Sequence, residues 1–255
     1  MVIGSAHRVG STWVSTLLRD LCELEYFEPS QAIIRDNPNI QLVNLDIFDV
    51  VTGRKIPKGR HYFKTHSFPP RLEDLSLLDP HVKFLTVSRD PRDAIVSNAF
   101  YLARLPRERG GWNEENSTMA DEAKIIKVIR EGAFILSRIF AWNRFPLSCD
   151  LKYEDLLADP VAEIKKVLEF LDIERSDDTI RYFVDKHSFR KKAGRGAGVE
   201  DKQAFFRKGI SRDWQNYFSE ECIKFFGRAY RGAWNKLLVE MGYEKSLDWF
   251  KGSNP

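Results

Sequence analysis

The chain has 255 residues, 43% hydrophobic and 30% charged, with a formal net charge of +3. These are ordinary values for a soluble globular protein with a sizeable core, here expected as one domain over residues 1–255. The charge is too small to argue for nucleic-acid binding, and no apolar run approaches the roughly 20 residues needed to span a bilayer. Cys22, Cys149 and Cys222 cannot all pair and form neither a disulfide framework nor a CxxC metal site. With no charged-then-apolar leader, the expectation is a cytoplasmic protein with no membrane or nucleic-acid partner.

Taken in order, Met1 to Ser5 reads as a short strand, followed by a loop and a helix from about Ser11. In that helix Trp13, Leu17, Leu18, Leu21 and Leu24 recur near the 3.6-residue period. Residues 26–60 are mixed. The stretch RHYFKTHSFPP offers a strand ending near Lys64, and Pro69-Pro70 forbids helix after it. Val82 to Ser88 reads as a buried-type strand. Asp90 is a helix cap and Pro91 suits the first helical position, opening a helix through Ala94, Ile95, Phe100 and Tyr101. Asn116 to Asn143 reads as one long helix and LSCDLKYEDLL as a strand into a turn. Asp159-Pro160 starts another helix, through Val161, Ile164, Val167, Leu168 and Leu171. Gly194 to Gln203 reads as a loop. The C-terminal third is helical, with Phe225, Phe226, Tyr230, Trp234 and Leu237 in phase. Strands alternating with helices predict an α/β fold, a central mainly parallel sheet flanked by helices.

Three features suit anions. The first is the strand–loop–helix stretch GSAHRVGST, Gly4 to Thr12. Backbone N–H groups at a helix N-terminus point outward, and the helix dipole favours negative charge there. The nucleotide-binding loop G-x-x-x-x-G-K-[ST] carries a lysine for the β- and γ-phosphates. Here Gly4 and Gly10 are one residue too far apart and Ser11 takes the lysine's place, which counts against a nucleoside triphosphate. The second is Arg89 at the C-terminal end of a strand, the edge where open α/β sheets bind ligands, followed by Ser97. The third is Arg207-Lys208-Gly209, in a stretch from Lys186 to Arg212 holding nine Lys or Arg against Glu200 and Asp201. Three anion sites on one domain suit a ligand phosphorylated at two ends.

Together these residues resemble the cytosolic-type sulfotransferases that use 3′-phosphoadenosine 5′-phosphosulfate, a P-loop-like fold. The family's K-S-G-T-T-W is matched by Arg8-Val9-Gly10-Ser11-Thr12-Trp13. Its strand followed by R-D-P-R-D and a serine is matched by Arg89 to Asp93 and Ser97. Its Y-E-D-L is matched by Tyr153 to Leu156, and its R-K-G followed by D-W by Arg207-Lys208-Gly209 and Asp213-Trp214. All four stand in the family's order from residue 8 to residue 214. The resemblance implies that Arg8 to Trp13, Val9 included, form the first part of the nucleotide site, with Gly10, Ser11 and Thr12 on the 5′-phosphosulfate. It gives the 3′-phosphate to Arg89, Ser97, Arg207, Lys208 and Gly209. Trp13 and Phe189 would stack on the two faces of adenine, and Tyr153 would reach its edge.

The same resemblance makes His66, in Lys64-Thr65-His66, the general base, and Lys64 a donor to the transferring group. Imidazole suits that role near neutral pH. Arg8 replaces the family's loop lysine; it keeps the charge but is a poorer proton donor, so it would stabilise the leaving phosphate electrostatically. His7 is a second, weaker candidate base, and His187 replaces a hydroxyl residue of the family. The expected reaction moves a sulfuryl group to a hydroxyl or amine of a small-molecule acceptor, leaves adenosine 3′,5′-bisphosphate, and requires no metal. Phe68, Phe100, Tyr101 and Phe134 are candidates for an apolar acceptor wall. Residues 104–124 and 190–204 are candidate lids. The family's dimerisation stretch after the D-W pair is absent from QNYFSEECIK, so a monomer or weak dimer is expected. The alternatives are a P-loop kinase-like phosphotransferase and a non-catalytic nucleotide-binding protein.

Overall fold

The computed structural model describes residues 1–26, 59–106, 108, 110–112 and 118–250. Most of the mixed stretch 26–60, part of the candidate lid 104–124 and the expected helix start at Asn116 lie outside the described residues. Along the chain run β1 (Val2–Ser5), α1 (Ser11–Cys22), β2 (Glu25–Tyr26), β3 (His61–Thr65), a 3₁₀ turn (Leu72–Leu77), β4 (Phe84–Ser88), α2 (Pro91–Arg104), α3 (Asp121–Glu131) and α4 (Ala133–Asn143). Then come β5 (Ser148–Lys152), α5 (Tyr153–Ala158), α6 (Pro160–Phe170), α7 (Asp177–Lys186), α8 (Phe189–Ala193), a second 3₁₀ turn (Asp213–Asn216) and α9 (Glu220–Glu240). They pack as two compact units. One comprises Met1–Ala6, Gly10–Ser88 and Ala141–Ser188; the other comprises His7–Val9, Arg89–Phe140 and Phe189–Pro255.

The first unit holds the sheet. Its order is β2-β3-β1-β4-β5, and every pairing is parallel. Ile3 of β1 lies beside Lys64 of β3 on one side and Leu85 of β4 on the other. Every residue of β1 and β4 is buried, as continuous apolar runs in a parallel sheet require. The β4 strand starts two residues later than expected, because Val82 donates its N–H to Asp79 in a turn. Val14, Leu17, Leu18 and Leu21 form the buried stripe of α1. Glu23 then adopts φ 54° and ends the helix, so Leu24 is buried outside it. Val2, Phe63, Phe84, Trp142 and Phe145 form a core cluster, each large apolar side chain stabilising by about 1.5–3 kcal/mol. The Asp159 side chain accepts from Ala162 N–H ahead of Pro160 and caps α6 as expected. Tyr153 opens a helix rather than a turn.

In the second unit Asp90 caps α2 with Pro91 at its first position. The expected long helix ending at Asn143 is two helices, and the expected C-terminal helix is interrupted at Ala229–Gly232. One contact links the two departures. The break at Gly132 frees the Arg130 carbonyl and the Ala133 N–H. The Tyr230 hydroxyl, at the other break, donates to the first at 2.5 Å and accepts from the second at 3.0 Å. Glycine is the weakest helix former after proline, and a tertiary hydrogen bond secures the break.

Candidate active site

In the first unit the C-terminal edge of the sheet gathers Ser5, Lys64, His66 and the start of α1. Gly10, at φ 95°, precedes α1, and no side chain caps that helix end. A Cβ on Gly10 would stand 2.6 Å from Cδ2 of Tyr153, so both backbone angle and space demand glycine. The Tyr153 ring also meets Trp13 edge-on, with centroids 6.1 Å apart. Trp13 Nε1 is buried with no hydrogen-bond partner among the described residues. A buried donor of this kind is unusual, since the great majority of buried polar groups are paired. Ser11, the first residue of α1, is buried, and Lys64 Nζ donates to Thr12 Oγ1 at 2.9 Å.

His66 follows the last residue of β3. Its Nδ1 lies 3.1 Å from the Ser5 carbonyl oxygen and 3.3 Å from Ser5 Oγ. A carbonyl only accepts, so Nδ1 carries the proton in the neutral ring and Nε2 holds the basic lone pair. The next residue is tied down as well. Ser67 N–H donates to Thr65 Oγ1 at 3.0 Å, and its carbonyl accepts from the indole N–H of Trp142 at 2.8 Å.

The second unit gathers cations. Arg8, at φ 65°, donates from Nε to Ser97 Oγ at 3.3 Å and from Nη2 to the Phe205 carbonyl at 3.1 Å. Its guanidinium sits 4.5 Å from the Tyr101 ring centre and 4.8 Å from that of Phe205. Burial, joined by the charges of Arg104, Arg89 and Arg207 and opposed by Tyr101, pushes Arg8 down to about 10. Such a concentration of like charge favours an anion. Arg89 is buried and donates to the Ile210 carbonyl at 2.9 Å, the Arg8 carbonyl at 3.5 Å and Asp93 Oδ2 at 3.4 Å. Asp93 Oδ1 in turn accepts from Trp214 N–H at 2.8 Å.

Arg207 is bound by two carboxylates, Glu200 on Nη1 and Asp213 on Nη2, and by the Tyr217 hydroxyl at 3.2 Å. Its Nε is buried without an acceptor among the described residues. Lys208 Nζ donates to Asp213 Oδ1 at 2.6 Å. Burial opposes the charge on Asp213, but hydrogen bonds from Lys208 and Asn216 and the charge of Arg207 outweigh it and lower its pKa. Gly209 has φ 68°, and a Cβ there would stand 2.3 Å from Cδ2 of Phe189.

Every sequence-predicted site residue is described. Lys64 meets Thr12, Trp13 meets Tyr153, Arg8 meets Ser97, and Phe189 lies against Gly209. Val9 is buried and apolar, which leaves only its backbone for a ligand. Arg207 and Lys208 are held by acids rather than bare. Of the acceptor-wall candidates, Phe100 is core, Phe68 and Phe134 are exposed, and Tyr101 lies under Arg8. His7 stacks on Phe134, with ring centroids 5.9 Å apart. His187 is fully buried, with Nε2 2.9 Å from Asp20 Oδ2, and belongs to the packing of the first unit. The residues missed in the sequence are Ser5 and Glu200. Nothing local marks Ser5. Glu200 carried one signal, as one of two acids in a basic stretch.

The family model described as the sulfotransferase domain matches residues 1–245. Sulfotransferase 1A1 of Bos taurus is 27% identical over 90% of this chain and 81% of its own length. Cytosolic sulfotransferase 16 of Arabidopsis thaliana is 24% identical over 86% and 71%. Among solved structures, mouse sulfotransferase SULT7A1 complexed with PAP aligns with a TM-score of 0.65 at 19% identity, covering 99% of this chain and 88% of that one. Retinol dehydratase in a complex with retinol and PAP aligns with a TM-score of 0.60 at 21% identity, over 93% and 80%.

Proposed function

The chain belongs to the sulfotransferase family, and on that premise we propose that it carries a sulfuryl group from 3′-phosphoadenosine 5′-phosphosulfate to a hydroxyl or amine of a small-molecule acceptor, with His66 as general base. The observation that carries the assignment of the base is the Ser5 carbonyl on His66 Nδ1, which leaves Nε2 as the proton acceptor. The family assignment favours this reading over a kinase-like one, as does the missing loop lysine. The family model's span supports a single sulfotransferase domain. The Arabidopsis relative is named a cytosolic enzyme, and the same compartment is proposed here. The sequence of residues 215–224 favours a monomer or weak dimer.

In this reading Gly10, Ser11 and Thr12 receive the 5′-phosphosulfate at the uncapped start of α1, with Lys64 beside Thr12. Arg89, Ser97, Arg207, Lys208 and Gly209 receive the 3′-phosphate. Trp13 and Phe189 take the faces of adenine and Tyr153 its edge, with Val9 contributing backbone. The orphaned donor Trp13 Nε1 and the backbone turn at Gly10 that leads into the uncapped start of α1 fit such a ligand. As the acceptor oxygen or nitrogen bonds to sulfur, its proton passes to His66 Nε2 and the bond from sulfur to the phosphate oxygen breaks. A positioned general base contributes about 10²–10⁴-fold. Lys64 and Arg8 offset the charge growing on the sulfuryl and leaving oxygens, an effect of about 10²–10³-fold per fixed donor.

An acceptor screen with labelled donor tests the activity. Thermal shifts with adenosine 3′,5′-bisphosphate, ATP and ATP–magnesium test the site. The bisphosphate is expected to raise the melting temperature most. A large shift with ATP–magnesium and none with the bisphosphate would restore the kinase reading.

A further inference from the structure

Arg207 has two acidic partners that differ in kind. Asp213 has a side chain only 1% exposed and is also held by Lys208 and Asn216. Glu200 has a side chain 23% exposed, and its Oε1 accepts both from Arg207 Nη1 and from the Tyr217 hydroxyl, the latter at 2.5 Å. The backbone around Glu200 is fastened independently of that carboxylate. Gly198 N–H donates to the Lys208 carbonyl at 2.9 Å and Asp201 N–H to the Arg207 carbonyl at 3.0 Å. Arg195 donates to the carbonyls of Val199 at 3.1 Å and Arg207 at 2.9 Å. The Glu200 carboxylate therefore needs only a side-chain rotation to leave Arg207, while Asp213 stays.

We propose that Glu200 is an internal competitor for the nucleotide's 3′-phosphate, occupying the Arg207 donor that the phosphate needs and so setting how tightly donor and product bind. This rests on the assignment of the 3′-phosphate to Arg207 under the proposed function. A phosphate and the Glu200 carboxylate repel each other at the same Nη1 donor, so the phosphate's gain is measured against the Glu200 pairing it displaces. A nucleotide without a 3′-phosphate leaves that pairing intact. Removing the carboxylate therefore strengthens only ligands that carry the second phosphate. The Tyr217 hydroxyl steadies Glu200 in the competing position, and its loss acts in the same direction.

Calorimetry with adenosine 3′,5′-bisphosphate and with adenosine 5′-phosphosulfate, which lacks the 3′-phosphate, tests this on the full chain. Glu200→Gln is expected to bind the bisphosphate roughly tenfold more tightly, the scale of a close charge pair. Its affinity for the 5′-phosphosulfate is expected to stay within about twofold. Tyr217→Phe is expected to move the same way by a smaller factor, and it carries the test if Glu200→Gln fails to fold. Weaker bisphosphate binding in these variants, or an equal change for both nucleotides, would overturn the proposal and make Glu200 a structural support of Arg207. Arg207→Met separates the two readings. It is expected to reduce the preference for the 3′-phosphorylated nucleotide, and if the preference is unchanged, the assignment of the phosphate to Arg207 is what fails.

Discussion

His66 Nδ1 lies 3.1 Å from the backbone carbonyl oxygen of Ser5, and this contact decides which ring nitrogen is basic. Because a backbone atom makes it, no side-chain substitution at residue 5 removes it. The imidazole itself has to be replaced. His66→Ala is expected to lower kcat by about 10²–10⁴-fold. The affinity for adenosine 3′,5′-bisphosphate should stay within about twofold, as expected for a group acting on the acceptor rather than the nucleotide. Initial rates with a responsive acceptor and calorimetry with the bisphosphate check both halves. Wild-type turnover in the variant would remove His66 from the mechanism.

Gly10→Ala is expected to abolish the melting-temperature rise given by the bisphosphate. The residue sits at φ 95°, and the new methyl would approach Tyr153 Cδ2 to 2.6 Å. A non-glycine residue in strained backbone costs about 1–3 kcal/mol, and relief would turn the first N–H groups of α1 or push Tyr153 away from Trp13. Differential scanning fluorimetry with and without nucleotide reads the effect. An unchanged shift would mean that the start of α1 does not meet the ligand.

These features differ in how far the sequence disclosed them. The parallel sheet was legible because β1 and β4 are short apolar runs each followed by a helix. The caps Asp90 and Asp159 were legible because an acid before proline acts on its own neighbours. The paired breaks at Gly132 and Ala229–Gly232 were not, since the Tyr230 hydroxyl reaches across about 100 residues to hold them. The same limit applies within the site. Motif spacing picked out Gly10, Ser97 and Arg207 as candidates but not Tyr153 against Gly10, the Ser5 carbonyl behind His66, or Glu200 on Arg207. Each of these is a through-space pairing that no local pattern encodes.

Asp20 predicts an acid-sensitive contribution to stability. Burial raises its pKa, but hydrogen bonds from Arg19, Lys186 and His187 outweigh that and hold the carboxyl down at about 2. The unfolded chain therefore binds this proton more readily than the folded one. The stabilisation is fully present above the ordinary carboxylate pKa near 4 and is lost as pH falls towards 2. Allowing for partial solvent screening, it amounts to about 1–2 kcal/mol. Urea unfolding of wild type and Asp20→Asn should show their stability difference shrinking between pH 5 and pH 3. A difference independent of pH would mean that Asp20 contributes by packing rather than by charge.

Arg92 joins the start of α2 to the C-terminal segment of its unit. It is 3% exposed. Asp90 accepts from its Nε at 3.0 Å and its Nη2 at 2.7 Å, and Glu244 accepts from its Nη1 at 2.5 Å. The guanidinium carbon lies 4.0 Å from the Trp214 ring centre and 4.8 Å from that of Trp249. Such a site uses the planar fork and the stacking face of arginine, which lysine lacks. Arg92→Met fills similar volume but leaves buried Asp90 without its cation, an arrangement that costs about 3–5 kcal/mol. Arg92→Lys keeps the charge and loses the second hydrogen bond to Asp90, so it should fall between wild type and Arg92→Met. Guanidinium unfolding orders the three proteins. If Arg92→Met costs less than about 1 kcal/mol, the pairing contributes no more than an exposed ion pair does, and Trp214 and Trp249 pack against the methionine about as well as against the guanidinium.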